Sequence, residues 1–106
     1  MRMIRAFLAL TALAAPASAQ DAVADFYRNK TVTIVVGSTA GGGYDLYGRL
    51  VARHIGKYIP GNPNVVVQNM PGASGNTSAA YVANVALKDG TVIGAPQAGS
   101  LVDQLI

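Results

Sequence analysis

Three loops rich in small residues carry most of the binding chemistry that this chain offers. They read GSTAGGGY over residues 37–44, NMPGASGN over residues 69–76 and PQAGS over residues 96–100. Glycine permits positive φ angles and a close approach of a ligand to the backbone, while backbone amides and hydroxyls donate hydrogen bonds. The loops contain no lysine or arginine. An anion such as a carboxylate or a phosphate would therefore be bound by backbone and hydroxyl donors.

The first loop does not match the established nucleotide-binding motifs. Gly37 and Gly42 have the separation of a P-loop, but glycine and tyrosine replace the Lys-Ser/Thr pair that must follow. The dinucleotide motif, read from Gly41, meets Gly43 and then Leu46 where its last glycine should stand. A tight turn is the alternative interpretation of the three glycines, but three in succession exceed what a turn requires. The three glycines therefore indicate a ligand-binding loop, but not one of the established nucleotide-binding motifs.

Residues suited to catalysis or metal binding are sparse. The chain has no cysteine and a single histidine, His54, which lies inside a predicted helix. Ser74 has a glycine two positions before it but Asn76 two positions after it, so it does not complete the serine-nucleophile motif G-x-S-x-G. One histidine and scattered aspartates do not make a metal site. We therefore predict that the chain is not an enzyme and uses no cofactor or metal.

The first 19 residues, MRMIRAFLALTALAAPASA, have the layout of a secretory signal peptide. Arg2 and Arg5 supply its basic start, and an apolar core follows that is too short to span a bilayer. Ala17 and Ala19 are the small residues expected before a cleavage site. We predict cleavage after Ala19 and a periplasmic mature chain of residues 20–106 that does not span the membrane.

The charge of the chain argues against a nucleic-acid partner. The formal net charge is +3, but Arg2 and Arg5 belong to the predicted leader. Without them, six basic residues oppose five aspartates. Nucleic-acid binding needs a clustered basic face, which this balance does not provide.

The mature chain alternates strand and helix patterns. Apolar, β-branched runs at residues 31–36, 65–68 and 91–95 predict buried strands. Between them, residues 45–59 and 77–87 have helical spacing, and in the first helix Leu46, Leu50, Ile55 and Ile59 form the predicted apolar face. Strands that alternate with helices form a parallel sheet with right-handed crossovers. We therefore predict an α/β fold with a parallel β-α-β-α-β order.

Each of the three loops follows a predicted strand and leads into a predicted helix. Ligands of open parallel sheets bind beyond the carboxyl ends of the strands, and helix N-termini favour anions. We expect the loops to converge there as an anion pocket. Asp45 has two interpretations at this edge, which are compatible. It satisfies the backbone N–H groups of the first helical turn, or it shapes the loop and accepts a hydrogen bond from the ligand.

An ordered series of segments resembles a known family. The segments VTIVVGSTAGGGYDLYGRLVA, VVVQNMPGASGNTSAAYVAN and KDGTVIGAPQAGS, preceded by a signal peptide, resemble the start of the tripartite tricarboxylate transporter substrate-binding proteins, the Bug or TctC family. The resemblance implies the start of a periplasmic-binding-protein-like lobe. It also implies capture of a small carboxylate solute and delivery to membrane permease subunits of a tripartite transporter. The first loop departs from the family, because Gly37, Ser38 and Thr39 stand where a Pro-Phe-type lead is common.

The resemblance further implies that backbone amides and hydroxyls of the first two loops hold the ligand carboxylate. The first-loop candidates are Ser38, Thr39, Ala40, Gly41, Gly42 and Asp45. The second-loop candidates are Pro71, Gly72, Ala73, Ser74, Gly75 and Asn76. The third loop contributes the candidates Gln97 and Ser100.

The family has a much longer chain with two lobes. Residues 20–106 are therefore interpreted as the N-terminal part of lobe 1 in a truncated chain. Two alternatives stay open at this point. The chain is the start of an exported α/β enzyme whose catalytic residues lie beyond it, or it is a truncated remnant without function.

Overall fold

The computed structural model describes residues 17–102, and the side chains of residues 19–100. Most of the predicted signal peptide, residues 1–16, lies outside this range. The elements in chain order are α1 Ala17–Tyr27, β1 Thr31–Val36, α2 Gly43–Ile55, β2 Asn64–Asn69, α3 Asn76–Asn84, β3 Val92–Ala95 and α4 Gly99–Val102. Short 3₁₀ turns at Gly56–Tyr58 and Ala73–Gly75 follow α2 and precede α3. The predicted α/β class is confirmed.

The three strands form one parallel sheet in the order β2-β1-β3. Thr31 lies opposite Asn64 at the start of the first pair, and Thr33 lies opposite Val92 in the second. The central strand β1 holds the core, because Val35 is 0% exposed and its apolar neighbours in the strand are also buried. A run of β-branched apolar residues suits a strand that is covered on both faces. The predicted parallel sheet is confirmed.

Helices cover opposite faces of the sheet. A Cβ built on Gly48 of α2 would lie 2.7 Å from a methyl carbon of Val36, so α2 packs directly on β1. A Cβ built on Gly94 of β3 would lie 3.4 Å from Val82 of α3, so α3 covers the other face. The chain therefore changes face between its first and second crossovers. In such sheets the carboxyl edge between β1 and β3 is the topological switch point where ligands bind.

The buried face of α2 differs from the predicted one. Asp45 and Gly48 are buried, whereas Leu46 and Leu50 are 68% and 52% exposed. Ile55 is half-buried, as its predicted inward position requires. The prediction for the two leucines was wrong because a glycine brings α2 close to the sheet. That close approach fills the contact with small residues and turns the leucines outward.

A substitution at Gly48 tests this close packing. We expect Gly48→Ala to lower the free energy of unfolding by about 1–2 kcal/mol, because overpacking against Val36 exceeds the gain in helix propensity. Gly43→Ala is the matched control in the same helix, since a Cβ there meets nothing within 4 Å. It should leave stability unchanged or raise it slightly. Urea unfolding of both variants measures the difference, and equal stabilities would contradict the packing of α2.

Helix α1 packs at the end of the sheet opposite the three loops. The Tyr27 hydroxyl donates to the carbonyl oxygen of Gly90 at 2.9 Å. A Cβ at Gly61 would collide with the carbonyl oxygen of Ala24, so the turn after α2 packs against the helix. The helix includes Ala19, the predicted cleavage position. Between residues 17 and 102, no helix has the length and apolar character needed to cross a membrane.

Candidate functional site

The three loops meet at Gly37, directly after β1. The Gly37 amide donates to the carbonyl oxygen of Ala95 at 3.0 Å, and the Gln97 side-chain amide donates to the Gly37 carbonyl at 2.8 Å. A Cβ on Gly37 would lie 2.6 Å from the Ser78 hydroxyl oxygen and 3.2 Å from the Cα of Gly75. Only glycine fits this position without movement of its neighbours. The predicted convergence of the loops on one edge of the sheet is present.

Further contacts tie the third loop to the other two. The Tyr44 hydroxyl accepts a hydrogen bond from the Ala98 amide at 3.2 Å, which links the start of α2 to this loop. A Cβ on Gly99 would lie 3.2 Å from the Cβ of Ser74 in the second loop. The Ser100 hydroxyl donates to the Gln97 carbonyl at 2.7 Å. The sheet edge is therefore a connected surface rather than three independent loops.

Asp45 is the centre of a hydrogen-bond network that closes the first loop. Its Oδ2 accepts from the Gly41 amide at 2.8 Å and from the Nε of Arg49 at 2.9 Å. Its Oδ1 accepts from the side-chain amide of Asn69 at 2.8 Å. The same Asn69 nitrogen donates to the Ser38 carbonyl at 3.0 Å. The side chain is 97% buried by this set, so Asp45 shapes the loop.

The network also keeps Asp45 ionised. The hydrogen bonds from Arg49, Gly41 and Asn69, in that order of effect, lower the pKa of its carboxyl from 3.8 to about 2. Burial opposes this and raises the pKa, but by less than the donors lower it. The carboxylate is therefore charged at any physiological pH. Its charge is offset by Arg49, so it does not oppose an anion bound at the loop.

The second loop contains four successive residues with positive φ angles. They are Gly72 at 134°, Ala73 at 46°, Ser74 at 54° and Gly75 at 94°. Positive φ is unfavourable for alanine and serine. The hydrogen bond from the Gly75 amide to the Gly72 carbonyl, at 3.0 Å, helps to hold the turn. Such local strain persists where the surroundings fix the conformation, and it concentrates at functional sites.

The predicted site residues divide by accessibility. The exposed candidates are Thr39, Ala40, Gly41, Pro71, Gly72, Ala73 and Ser74. The half-buried candidates are Gly42, Asn76 and Gln97, and the buried ones are Ser38, Asp45, Gly75 and Ser100. The exposed residues offer a continuous set of backbone and hydroxyl groups to a ligand, whereas the buried residues hold the loops. Direct ligand contact by any of them stays a prediction.

The first loop has exposed backbone N–H groups without a protein acceptor. Between residues 17 and 102, the N–H groups of Thr39 and Ala40 reach no protein acceptor. Both residues are exposed. The neighbouring Gly41 amide is occupied by Asp45 at 2.8 Å, which fixes the backbone beside them. These two N–H groups are available to an external acceptor.

Sequence reasoning missed Arg49 and Asn69. Arg49 lies within α2 and Asn69 is the first residue of the second loop, but neither was among the candidates. Their side chains hold Asp45, and the Nη2 of Arg49 also donates to the Asn69 side-chain oxygen at 3.2 Å. The spacing of Asp45 and Arg49, four positions apart in a helix, is a recognisable ion-pair signal. Asn69 had no comparable signal, since it is 24 positions from Asp45 along the chain.

Metal chemistry has no support within the described range. Among residues 17–102, no group of three or more histidine and acidic side chains lies close enough to hold a metal ion. His54 is exposed on α2. The donor set of the loops consists of amides and hydroxyls, which suit an anion rather than a cation.

Comparison with known proteins gives one informative similarity. The chain is 42% identical over 82 residues to the "UPF0065 protein in the TAR-I ttuE-ttuC' intergenic region" of Agrobacterium vitis. The matched part makes up 77% of this chain and 22% of that protein. The chain thus spans about a fifth of the length of the curated relative it matches. No protein-family model matches the chain, and no solved structure matches it significantly.

Proposed function

We propose that this chain is part of a tripartite tricarboxylate transporter substrate-binding protein of the Bug or TctC family. UPF0065 is a designation of that family, and the similarity to the Agrobacterium vitis protein supports the assignment. The predicted signal peptide supports a periplasmic location. The proposed role is capture of a small carboxylate solute and its delivery to the membrane permease subunits. A binding role rather than an enzymatic one agrees with the family.

The observation that carries this proposal is the first loop, closed by Asp45 with free amides beside it. Gly41 is held by the carboxylate at 2.8 Å, and the next two exposed amides, those of Ala40 and Thr39, are left for a ligand. Fixed N–H donors bind an anion without reorganisation of the site. The Ser74 hydroxyl of the second loop is also exposed. Such a set of N–H and O–H donors complements the negative charge of a carboxylate.

The exposure of the loops fits one half of a two-lobed site. Thr39, Ala40 and Ser74 lie on the surface of this unit rather than inside a cavity. A second lobe closing over them would exclude water and strengthen each hydrogen bond. We therefore propose that this unit anchors the carboxylate and that the opposite lobe selects the rest of the solute.

Calorimetry and thermal shift with a panel of small carboxylates test the proposed function. The panel contains aliphatic mono-, di- and tricarboxylates and an aromatic carboxylate, with inorganic phosphate as a separate anion. We expect at least one carboxylate to bind the full chain and raise its Tm. Binding of phosphate alone would overturn the carboxylate assignment. An absence of binding by all of these anions would overturn the proposed capture role of this chain.

Thr39 provides a test at the residue level. We expect Thr39→Val to weaken binding of the carboxylate found in the screen by about fivefold to tenfold, because a hydroxyl donor at the loop is lost. Thr31→Val is the matched control, since Thr31 is also exposed but lies at the opposite end of β1. It should leave the Kd unchanged. Equal effects of the two variants would place the ligand elsewhere.

A further inference from the structure

A groove with a basic wall runs between α2 and the outer side of β2. The part next to the middle of α2 has a volume of about 350 Å³ and is lined by Arg49, Ala52, Arg53 and the segment Val65 to Val67. It continues into a cleft of about 420 Å³ that also contains Lys57. No acidic residue lines either part. Arg49 belongs both to this groove and to the Asp45 network, whereas the other lining residues lie outside the three loops.

The wall on β2 is a free strand edge. In the order β2-β1-β3, β2 has no strand on its outer side among the described residues. The amides of Asn64 and Met70 donate inward, to the carbonyls of Lys30 and Val36 at 3.2 and 2.8 Å. Hydrogen-bonding directions alternate along a strand, so Val65 and Val67 turn their N–H and C=O groups outward. Unpaired groups of this kind are a template for another strand.

The other wall is a row of cations. Arg49 and Arg53 are four residues apart in α2, which separates them by about 6 Å along the helix, and Lys57 follows in the 3₁₀ turn Gly56–Tyr58. Alternate residues of an extended strand are separated by about 6.7 Å. An extended chain beside β2 would therefore bring every second side chain opposite one of these cations. Within residues 17–102, neither Arg53 nor Lys57 forms an ion pair.

We propose that this groove binds an extended acidic segment of a partner protein. The segment pairs with the outward N–H and C=O groups of Val65 and Val67 and adds a strand to the sheet. Its alternate carboxylates lie against Arg53 and Lys57. Main-chain pairing supplies affinity in such strand addition, while the side chains at alternate positions supply specificity. This interaction goes beyond solute capture and does not depend on it.

Fluorescence anisotropy with a synthetic peptide tests the proposal on the full chain. The probe is a labelled peptide in which glutamate alternates with valine, and the control peptide has glutamine in place of glutamate. We expect the acidic peptide to bind about threefold to tenfold more tightly than the control, because new charge pairs form with Arg53 and Lys57, whereas Arg49 is already paired with Asp45. The double variant Arg53→Gln with Lys57→Gln should remove most of this difference. Lys88→Gln, which changes a cation outside the groove, should leave the affinity within about twofold.

The strand pairing has its own test. Val67→Pro removes an outward N–H group while the hydrogen bonds between β2 and β1 can persist, so peptide binding should fall below detection. If this variant does not fold, a peptide with N-methyl groups at alternate positions tests the same pairing, and it should not bind. Equal binding of the methylated peptide would overturn strand addition. Binding to vesicles containing anionic lipid, with no binding of the acidic peptide, would overturn the proposed partner class.

Discussion

Replacement of Asp45 by asparagine is expected to lower the Tm of the chain by about 5–10 °C. An asparagine retains one acceptor oxygen, whereas the carboxylate serves the Gly41 amide, Arg49 and Asn69 together. The variant also places its own NH₂ group among donors. Differential scanning calorimetry at neutral pH measures the loss, and carboxylate affinity should fall with it because the first loop is no longer fixed.

The pH dependence of that loss identifies its cause. The folded pKa of Asp45 lies at about 2, below the ordinary value of 3.8. A depressed pKa means that ionised Asp45 stabilises the folded state above the ordinary pKa, and that this contribution disappears as the pH falls toward the folded value. The difference in Tm between the wild-type chain and Asp45→Asn should therefore shrink between pH 4 and pH 2. Two hydrogen bonds from Thr91 also lower the pKa of Asp89, but that residue is present in both proteins and cancels in the difference.

Asp25→Asn is the matched control for the charge. Asp25 pairs with Arg28 at 2.8 Å, but both side chains are more than 60% exposed. Exposed ion pairs contribute little to stability, so the Tm should change by less than about 2 °C. A fall as large as that of Asp45→Asn would mean that net charge, rather than the buried network, causes the effect.

The substitution Gly75→Ala is expected to destabilise the chain by about 2–4 kcal/mol. Gly75 has a φ angle of 94°, and a Cβ there would lie 2.7 Å from the backbone nitrogen of Gln97. The alanine is therefore strained in itself and also separates the second loop from the third. Urea unfolding measures the stability, and the carboxylate affinity should fall in parallel because the loop edge opens.

Gly41→Ala separates the two causes. Gly41 has nearly the same φ angle, 90°, but a Cβ there meets nothing within 4 Å. This variant has only the conformational penalty of a left-handed alanine, about 1 kcal/mol. The additional loss at Gly75 then measures the contact between loops. Equal losses in both variants would indicate that the loops are not in contact in solution.

The strands could be predicted from the sequence because their signals are local. Residues 31–36 form β1 as expected. Strand β2 is one residue longer at each end than predicted, and β3 begins one residue later than predicted. Helix α2 ends at Ile55 rather than at residue 59. The chain there turns back closely, since a Cβ on Gly56 would lie 2.8 Å from the Pro63 carbonyl oxygen. No local pattern specifies that return.

The convergence of the three loops could also be predicted from the sequence, but the contacts that hold them could not. Parallel topology alone brings the three loops to one edge, which the contacts around Gly37 confirm. The left-handed conformation of Ala73 and Ser74 has no sequence signal, because neither residue favours positive φ. The partnership of Asp45 with Asn69 depends on the register of β2 beside β1. Such features follow from the assembled fold.

The connection between Gly37 and Gln97 sets the order in which the site is completed. Their hydrogen bond joins residues 60 positions apart in the chain, whereas the bond between Asp45 and Asn69 spans 24. The entropy of loop closure grows with length, and non-local contacts slow folding. The β1–α2–β2 part can therefore assemble before β3 joins the sheet. The loop edge is completed last, so binding of a ligand that contacts all three loops would report completion of folding rather than its onset.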